Sequence, residues 1–128
     1  MINLTSTDYG YKIVFQGDIT IEELNNWIKE SEVVLQDPKS NFGCLIDMQD
    51  LNNVSSQAYK LITEGQKLYI SKGMVRSAVI LNNPEITKQY RIIAKQSGEY
   101  KYEKYIDALS RSNWEIIAVE WITSGIDL

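Results

Sequence analysis

Residues 43–59 read GCLIDMQDLNNVSSQAY. Cys44, Leu45 and Ile46 form a short continuous apolar run, the pattern of a strand buried on both faces. The run passes straight into Asp47, Gln49, Asp50, Asn52 and Asn53, and Ser55-Ser56 then opens an amphipathic stretch. Strand, polar turn and serine-started helix, in that order, make a βα unit of an α/β sheet. In open sheets of this kind the carboxyl ends of strands and the facing helix N-termini are where ligands and partners bind. Function is therefore expected at this edge.

The N-terminal side supplies an antiparallel start. Ile2–Ser6 and Tyr11–Gln16 read as strands, the second alternating Tyr11, Ile13 and Phe15 with Lys12 and Gln16, and Thr7-Asp8-Tyr9-Gly10 links them as a turn. Thr20 and Glu23 have capping-box spacing, in which hydroxyl and carboxylate reciprocally satisfy free backbone donors. The helix they start carries Ile21, Leu24, Trp27, Ile28, Val34 and Leu35 as one stripe, and Asp37-Pro38 closes it. The anchor strand then spans about Phe42 to Met48.

On the C-terminal side, a helix from about Ser55 to Lys72 places Ala58, Leu61, Ile62, Gly65, Leu68 and Tyr69 on one side, and Gly73 stops it. Gly65, on the apolar face, is expected to allow close approach to the sheet. Val75–Leu81 is a strand ending in the continuous run Ala78-Val79-Ile80-Leu81, as a central strand does. Asn82-Asn83-Pro84 starts a helix to about Gln96, with Pro84 where its missing donor costs nothing and Ile86, Tyr90, Ile93 and Ala94 as the buried side. Within Glu99–Asp107 only Tyr105-Ile106 looks like a strand, short and charged as suits a sheet edge. A last helix begins at Ser112, with Glu115 as a second capping box and Trp114, Ile117, Ala118, Trp121 and Ile122 as its face, and ends at Gly125.

The element order is ββαβαβαβα in one domain, residues 1–128, and implies a mostly parallel sheet with an initial antiparallel hairpin and four flanking helices. The chain has no histidine, which excludes Ser-His-Asp and Cys-His catalysis and the usual zinc ligand sets. No cofactor and no metal are expected. The single cysteine, Cys44, lies in an apolar strand and suits a reducing compartment. The first ten residues lack a signal-peptide pattern and no segment has the length of a membrane span, so a cytoplasmic location is expected. Net charge is −4, split as −6 over residues 1–64 and +2 over the remainder. An acidic chain of this kind is a poor nucleic-acid binder, since phosphate neutralisation drives that affinity.

The texts GCLIDMQDL, ITEGQKLYISKGMVRSAVI, RIIAKQSGEYKYEKYIDA and NWEIIAVEWI, with the element order, resemble the STAS domain of bacterial anti-sigma factor antagonists. The resemblance is nearer to the uncharacterised SpoIIAA-like proteins, which are related in fold to the lipid-binding CRAL-TRIO (SEC14-like) domains. It implies a SpoIIAA-like fold but no general activity. In STAS antagonists a strand-end aspartate precedes an Asp-Ser-Ser-Gly helix start with a phosphorylated serine. Matching Asp47 to that aspartate sets Val54-Ser55-Ser56-Gln57-Ala58 on the motif, with Ser56 at the phosphorylated position. Ser55 stands where the motif has an acid, and no glycine follows.

Three groups of side chains are candidate sites. Asp47, Asp50, Ser55, Ser56, Asn82 and Asn83 form a switch or binding edge. Against that stand plainer roles: the serines and asparagines cap helices, Asp47 holds a turn, and Asp50 is solvated. Lys88, Arg91 and Lys95 share a helix face that binds an anion or is simply the solvated side. Tyr100, Tyr102, Tyr105 and Trp114 point to a homodimer through the last strand and final helix. Together these readings give a non-enzymatic regulatory or protein-interaction module with an unidentified protein partner. A small-ligand or lipid-binding protein is the alternative, and an enzyme comes third.

Overall fold

Two alternating segments open the chain, β1 (Ile2–Ser6) and β2 (Gly10–Gly17), joined by the expected turn. They pair antiparallel, Leu4 opposite Ile13. There follow α1 (Ile21–Val34), β3 (Gly43–Leu51), α2 (Ser56–Ser71), β4 (Arg76–Leu81), α3 (Pro84–Ser97), a 3-10 turn over Glu99–Lys101, β5 (Glu103–Asp107) and α4 (Trp114–Ser124). This computed structural model describes residues 1–128 apart from the side chain of Tyr100. The order read from the sequence is the order found.

Spatial order equals chain order: the five strands lie β1-β2-β3-β4-β5, with β2 to β5 parallel. A sheet built stepwise in one direction by right-handed crossovers keeps every crossover helix on one face. Accordingly α1, α2 and α3 lie on one side, over Tyr11, Ile13, Phe15, Cys44, Ile46, Val79 and Leu81. The chain then turns back, and α4 alone covers Leu45, Ala78, Ile80 and Ile106 on the other. Since the order of the parallel strands never reverses, no crevice of the kind that a reversal opens exists at their carboxyl ends.

The helix pair α1 and α2 is closed by Gly65, and the expectation of an approach to the sheet is corrected here. A Cβ on Gly65 would sit 2.2 Å from Cζ3 of Trp27, so the glycine accommodates a neighbouring helix. Trp27 in turn lies edge-on to Phe15 and stacked on Tyr69. The Tyr69 hydroxyl finds the buried Ser31 Oγ at 2.7 Å. Burial pushes the Cys44 thiol far up and leaves it a small apolar filler.

β5 begins at Glu103, ahead of the Tyr105-Ile106 read as strand, and two further element ends differ from the sequence reading. β3 continues to Leu51, because pairing with β2 resumes after an irregularity. Val14 faces Asp47 but Gln16 faces Asp50, so β3 holds one residue more than β2 over this step, a β-bulge. The second difference concerns α4, which begins at Trp114 after Asn113 and has no side-chain cap. Ser112 stays in the preceding turn, and Glu115 reaches out to Lys12 Nζ at 3.3 Å instead of back to the helix start.

Candidate functional site

The bulge governs what the carboxyl end of the sheet presents. Side chains of a strand alternate between faces, and one inserted residue inverts the alternation beyond it. Met48 and Leu51, an odd number of residues apart, therefore both pack on the three-helix side. Asp47 Oδ1 accepts the Gln49 amide at 3.1 Å and fastens the bulge, while Asp50 is exposed. The two aspartates line no common cavity among the described residues.

The serines and asparagines separate in a similar way. Ser55 is the N-cap of α2, its Oγ accepting the Ala58 amide at 3.1 Å. Ser56 is the first helical residue and exposed. Asn83 caps α3 by accepting the amides of Glu85 and Ile86 at 2.9 and 3.1 Å. Of the expected edge, only Asn82 and Asn83 contribute to a concavity, an open groove of about 300 Å³ shared with Gln49, Asn52 and Asn53.

The α3 face is rotated from the one that its periodicity suggests. Thr87 and Ala94 are its buried residues, whereas Ile86 is 42% and Ile93 56% exposed. Of the expected Lys88–Arg91–Lys95 trio, Arg91 and Lys95 share a groove along the β5 edge, where the Arg91 Nε donates to the Tyr105 carbonyl at 3.1 Å. Lys88 and Lys95 remain exposed. Of the aromatic residues expected at an interface, Tyr102, Tyr105 and Trp114 are half-buried. The side chain of Tyr100 lies outside the described residues.

That rotation opens a cleft between α2 and α3. It encloses about 200 Å³ and is continuous with the asparagine groove through the shared lining of Met48, Leu51, Val54 and Tyr90. Met48, Leu51, Val79 and Tyr105 form its floor, Tyr59, Ile62, Thr63 and Gln66 the α2 wall, and Tyr90, Ile93 and Ser97 the α3 wall. Tyr59, on the rim, is 56% exposed. Exposed apolar groups facing a concave apolar surface mark binding sites more often than chance surface.

Glu103 sits at the inner end, between a void of only about 10 Å³ beneath α1 and α2 and an open groove along the β5 edge lined by Arg91, Lys95 and Lys104. The void is too small for any ligand group, whereas the cleft exceeds the roughly 150 Å³ that accepts a benzene ring in a protein interior. The Glu103 carboxylate accepts from Ser77 Oγ at 2.9 Å and from the Tyr105 hydroxyl. Burial raises its pKa above the ordinary value, the two hydroxyls lower it, and the nearby Glu99 charge raises it further. Among the described residues the ion pairs are those of the Met1 amine with Glu23, Lys12 with Glu115 and Lys104 with Asp127. Glu103 has none. Sequence reading missed it inside a segment taken as a charged edge. The spacing of Glu103, Tyr105 and buried Ile106 carried the signal, since period two sets Glu103 and Tyr105 together on the face opposite Ile106.

The remaining geometry limits the chemistry. No group of three metal-ligating side chains occurs among the described residues. Among the described residues no helix is long and apolar enough to cross a membrane.

A sequential sheet of this topology, three helices on one face and one on the other, is the SpoIIAA-like α/β fold. The chain is similar in structure to an uncharacterised protein of the DUF3478 family with a SpoIIAA-like fold from Shewanella loihica, at 19% sequence identity and a TM-score of 0.60, over 89% of this chain and 91% of that one. Comparison with protein-family models and with curated proteins returns no match.

Proposed function

We propose that this chain is a non-enzymatic binding module that takes a small, largely apolar ligand in the cleft between α2 and α3. The observation that carries the reading is the orientation of α3, which leaves Ile86 and Ile93 facing an open concave surface and not a packed neighbour. Leaving an Ile side chain in water forgoes about 1.5–3 kcal/mol of burial. A bound apolar group recovers part of it. The test is an amide NMR titration with 2-phenylethanol, a neutral ring-bearing probe of suitable size. Shifts confined to Tyr59, Ile62, Tyr90, Ile93 and their neighbours, abolished in Ile93→Glu, support the reading. Absent shifts, or shifts unchanged in that variant, defeat it.

A regulatory reading is favoured by one observation at the start of α2. Ser55 holds the cap of α2, which leaves the Ser56 hydroxyl exposed at a helix N-terminus where a phosphate is electrostatically welcome. On this reading Ser56→Asp alters the binding of a protein partner. Equal binding of Ser56→Asp and the unmodified protein to every partner tried would count against it.

A further inference from the structure

We propose that the ligand of the α2–α3 cleft is a small organic cation, an aryl- or alkylammonium whose charged head meets Glu103 and whose apolar body lies between Tyr59 and Tyr90. The inference rests on the cleft being a binding site and adds the chemical class of what it binds. Its first support is the charge of the lining: Glu99 and Glu103 are the ionisable acids there, and no lysine or arginine contributes to it. A carboxylate ligand would enter against two like charges.

The second support is the state of Glu103. A buried charge is costly unless paired, and this one is met only by two neutral hydroxyls. Arg91, Lys95 and Lys104 line a second groove along the β5 edge that Glu103 and Tyr105 also border, but Arg91 is bound to the Tyr105 carbonyl, Lys104 is paired with Asp127, and among the described residues none of the three forms an ion pair with Glu103. An ammonium at the Glu103 end of the cleft would supply the missing opposite charge. The third support is the aromatic content: Tyr59, Tyr90 and Tyr105 all line the space, and Tyr90 and Tyr105 have ring centroids 5.5 Å apart. Aromatic faces attract cations, and more so when water is excluded.

Size selects a single small molecule over a peptide segment. About 200 Å³ holds one ring or a short branched alkyl group.

Three probes that differ only in the head group decide the matter, titrated into the full chain and followed by amide NMR: 2-phenylethylammonium, 2-phenylethanol and 3-phenylpropionate. A new charge-assisted hydrogen bond in a partly dry site predicts that the ammonium binds about tenfold or more tightly than the alcohol, with the carboxylate weakest. In Glu103→Gln the ammonium and the alcohol should bind alike, and Glu99→Gln, nearer the rim, should give a smaller loss. Equal affinity of ammonium and alcohol in the unmodified protein, or an ammonium preference unchanged in Glu103→Gln, overturns the cation inference while leaving the cleft a binding site. Failure of all three probes to shift cleft residues removes both.

Discussion

Replacing Gly65 by alanine tests the tight packing of α2 against Trp27. In most exposed helix interiors that substitution stabilises, by about 1 kcal/mol of helix propensity. Here the added Cβ would lie 2.2 Å from Cζ3 and 2.3 Å from Cη2 of Trp27, against an ordinary carbon–carbon contact of about 3.5–4.0 Å. One partner must retreat by more than an ångström. Trp27 has little room to do so: it is 3% exposed, with Phe15 edge-on at 5.2 Å and Tyr69 stacked at 6.2 Å between ring centroids. Overpacking of this kind costs about 1–3 kcal/mol, and a displacement this large belongs at the upper end. After the propensity gain, Gly65→Ala should be destabilised by about 2 kcal/mol. Urea unfolding followed by far-UV circular dichroism reads this as a lowered midpoint at unchanged slope. Trp27→Phe removes the outer ring that the Cβ strikes. In that background Gly65→Ala should therefore cost less, with a coupling of about 0.5–3 kcal/mol. A Gly65→Ala midpoint equal to or above that of the unmodified protein would refute the packing argument.

The two serines at the start of α2 should part company. Ser55→Ala loses a cap and about 1 kcal/mol of stability, whereas Ser56→Ala stays within about 0.5 kcal/mol; thermal or urea unfolding of both variants checks this, and equal losses would contradict the assignment. Glu103 should give a pH signature. Its pKa is raised on folding from the ordinary 4.5, so the folded state binds its proton more tightly than the unfolded chain does. The stability this provides is present below that value and lost as pH rises through the raised one. Glu99, Tyr105 and Ser77 are the groups that act on it. The melting temperature of Glu103→Gln relative to the unmodified protein should therefore climb as pH rises from the ordinary carboxylate value through the raised one. A difference independent of pH would show that the carboxylate is not desolvated.

The fold was legible in the sequence because its signals are strong and local. Tyr11-Ile13-Phe15 alternates cleanly, Thr20 and Glu23 form the capping box found at the start of α1, and Ala78 to Leu81 is buried on both faces of β4. What local pattern does not contain is the partner of a face. The spacing of Ile86, Tyr90 and Ile93 marks an apolar side of α3, but whether that side meets a neighbour depends on how far off α2 stands. The bulge is equally hidden, since it exists only in the pairing of β3 with β2; without it Met48 and Leu51 would point to opposite faces. For the candidate cleft the sequence pointed to the carboxyl end of β3 that forms part of its floor, but not to Glu103 at the start of β5 or to the tyrosines of α2 and α3. Asp47 and Ser55 serve the backbone, while Tyr59, Tyr90 and Glu103 shape the cavity.

The strict left-to-right sheet also fixes how the chain can assemble. Each strand from β2 onward docks beside the one made just before it, so every pairing is available as soon as its residues have left the ribosome, and none waits for a later insertion. The exception is the far face. Leu45, Ala78, Ile80 and Ile106 have no cover until residues 114–124 arrive as α4. The growing protein carries an open greasy sheet until its last helix closes it, and any lesion that loosens α4, such as loss of the Trp121 indole bond to the Ser77 carbonyl at 2.9 Å, returns it to that adhesive state.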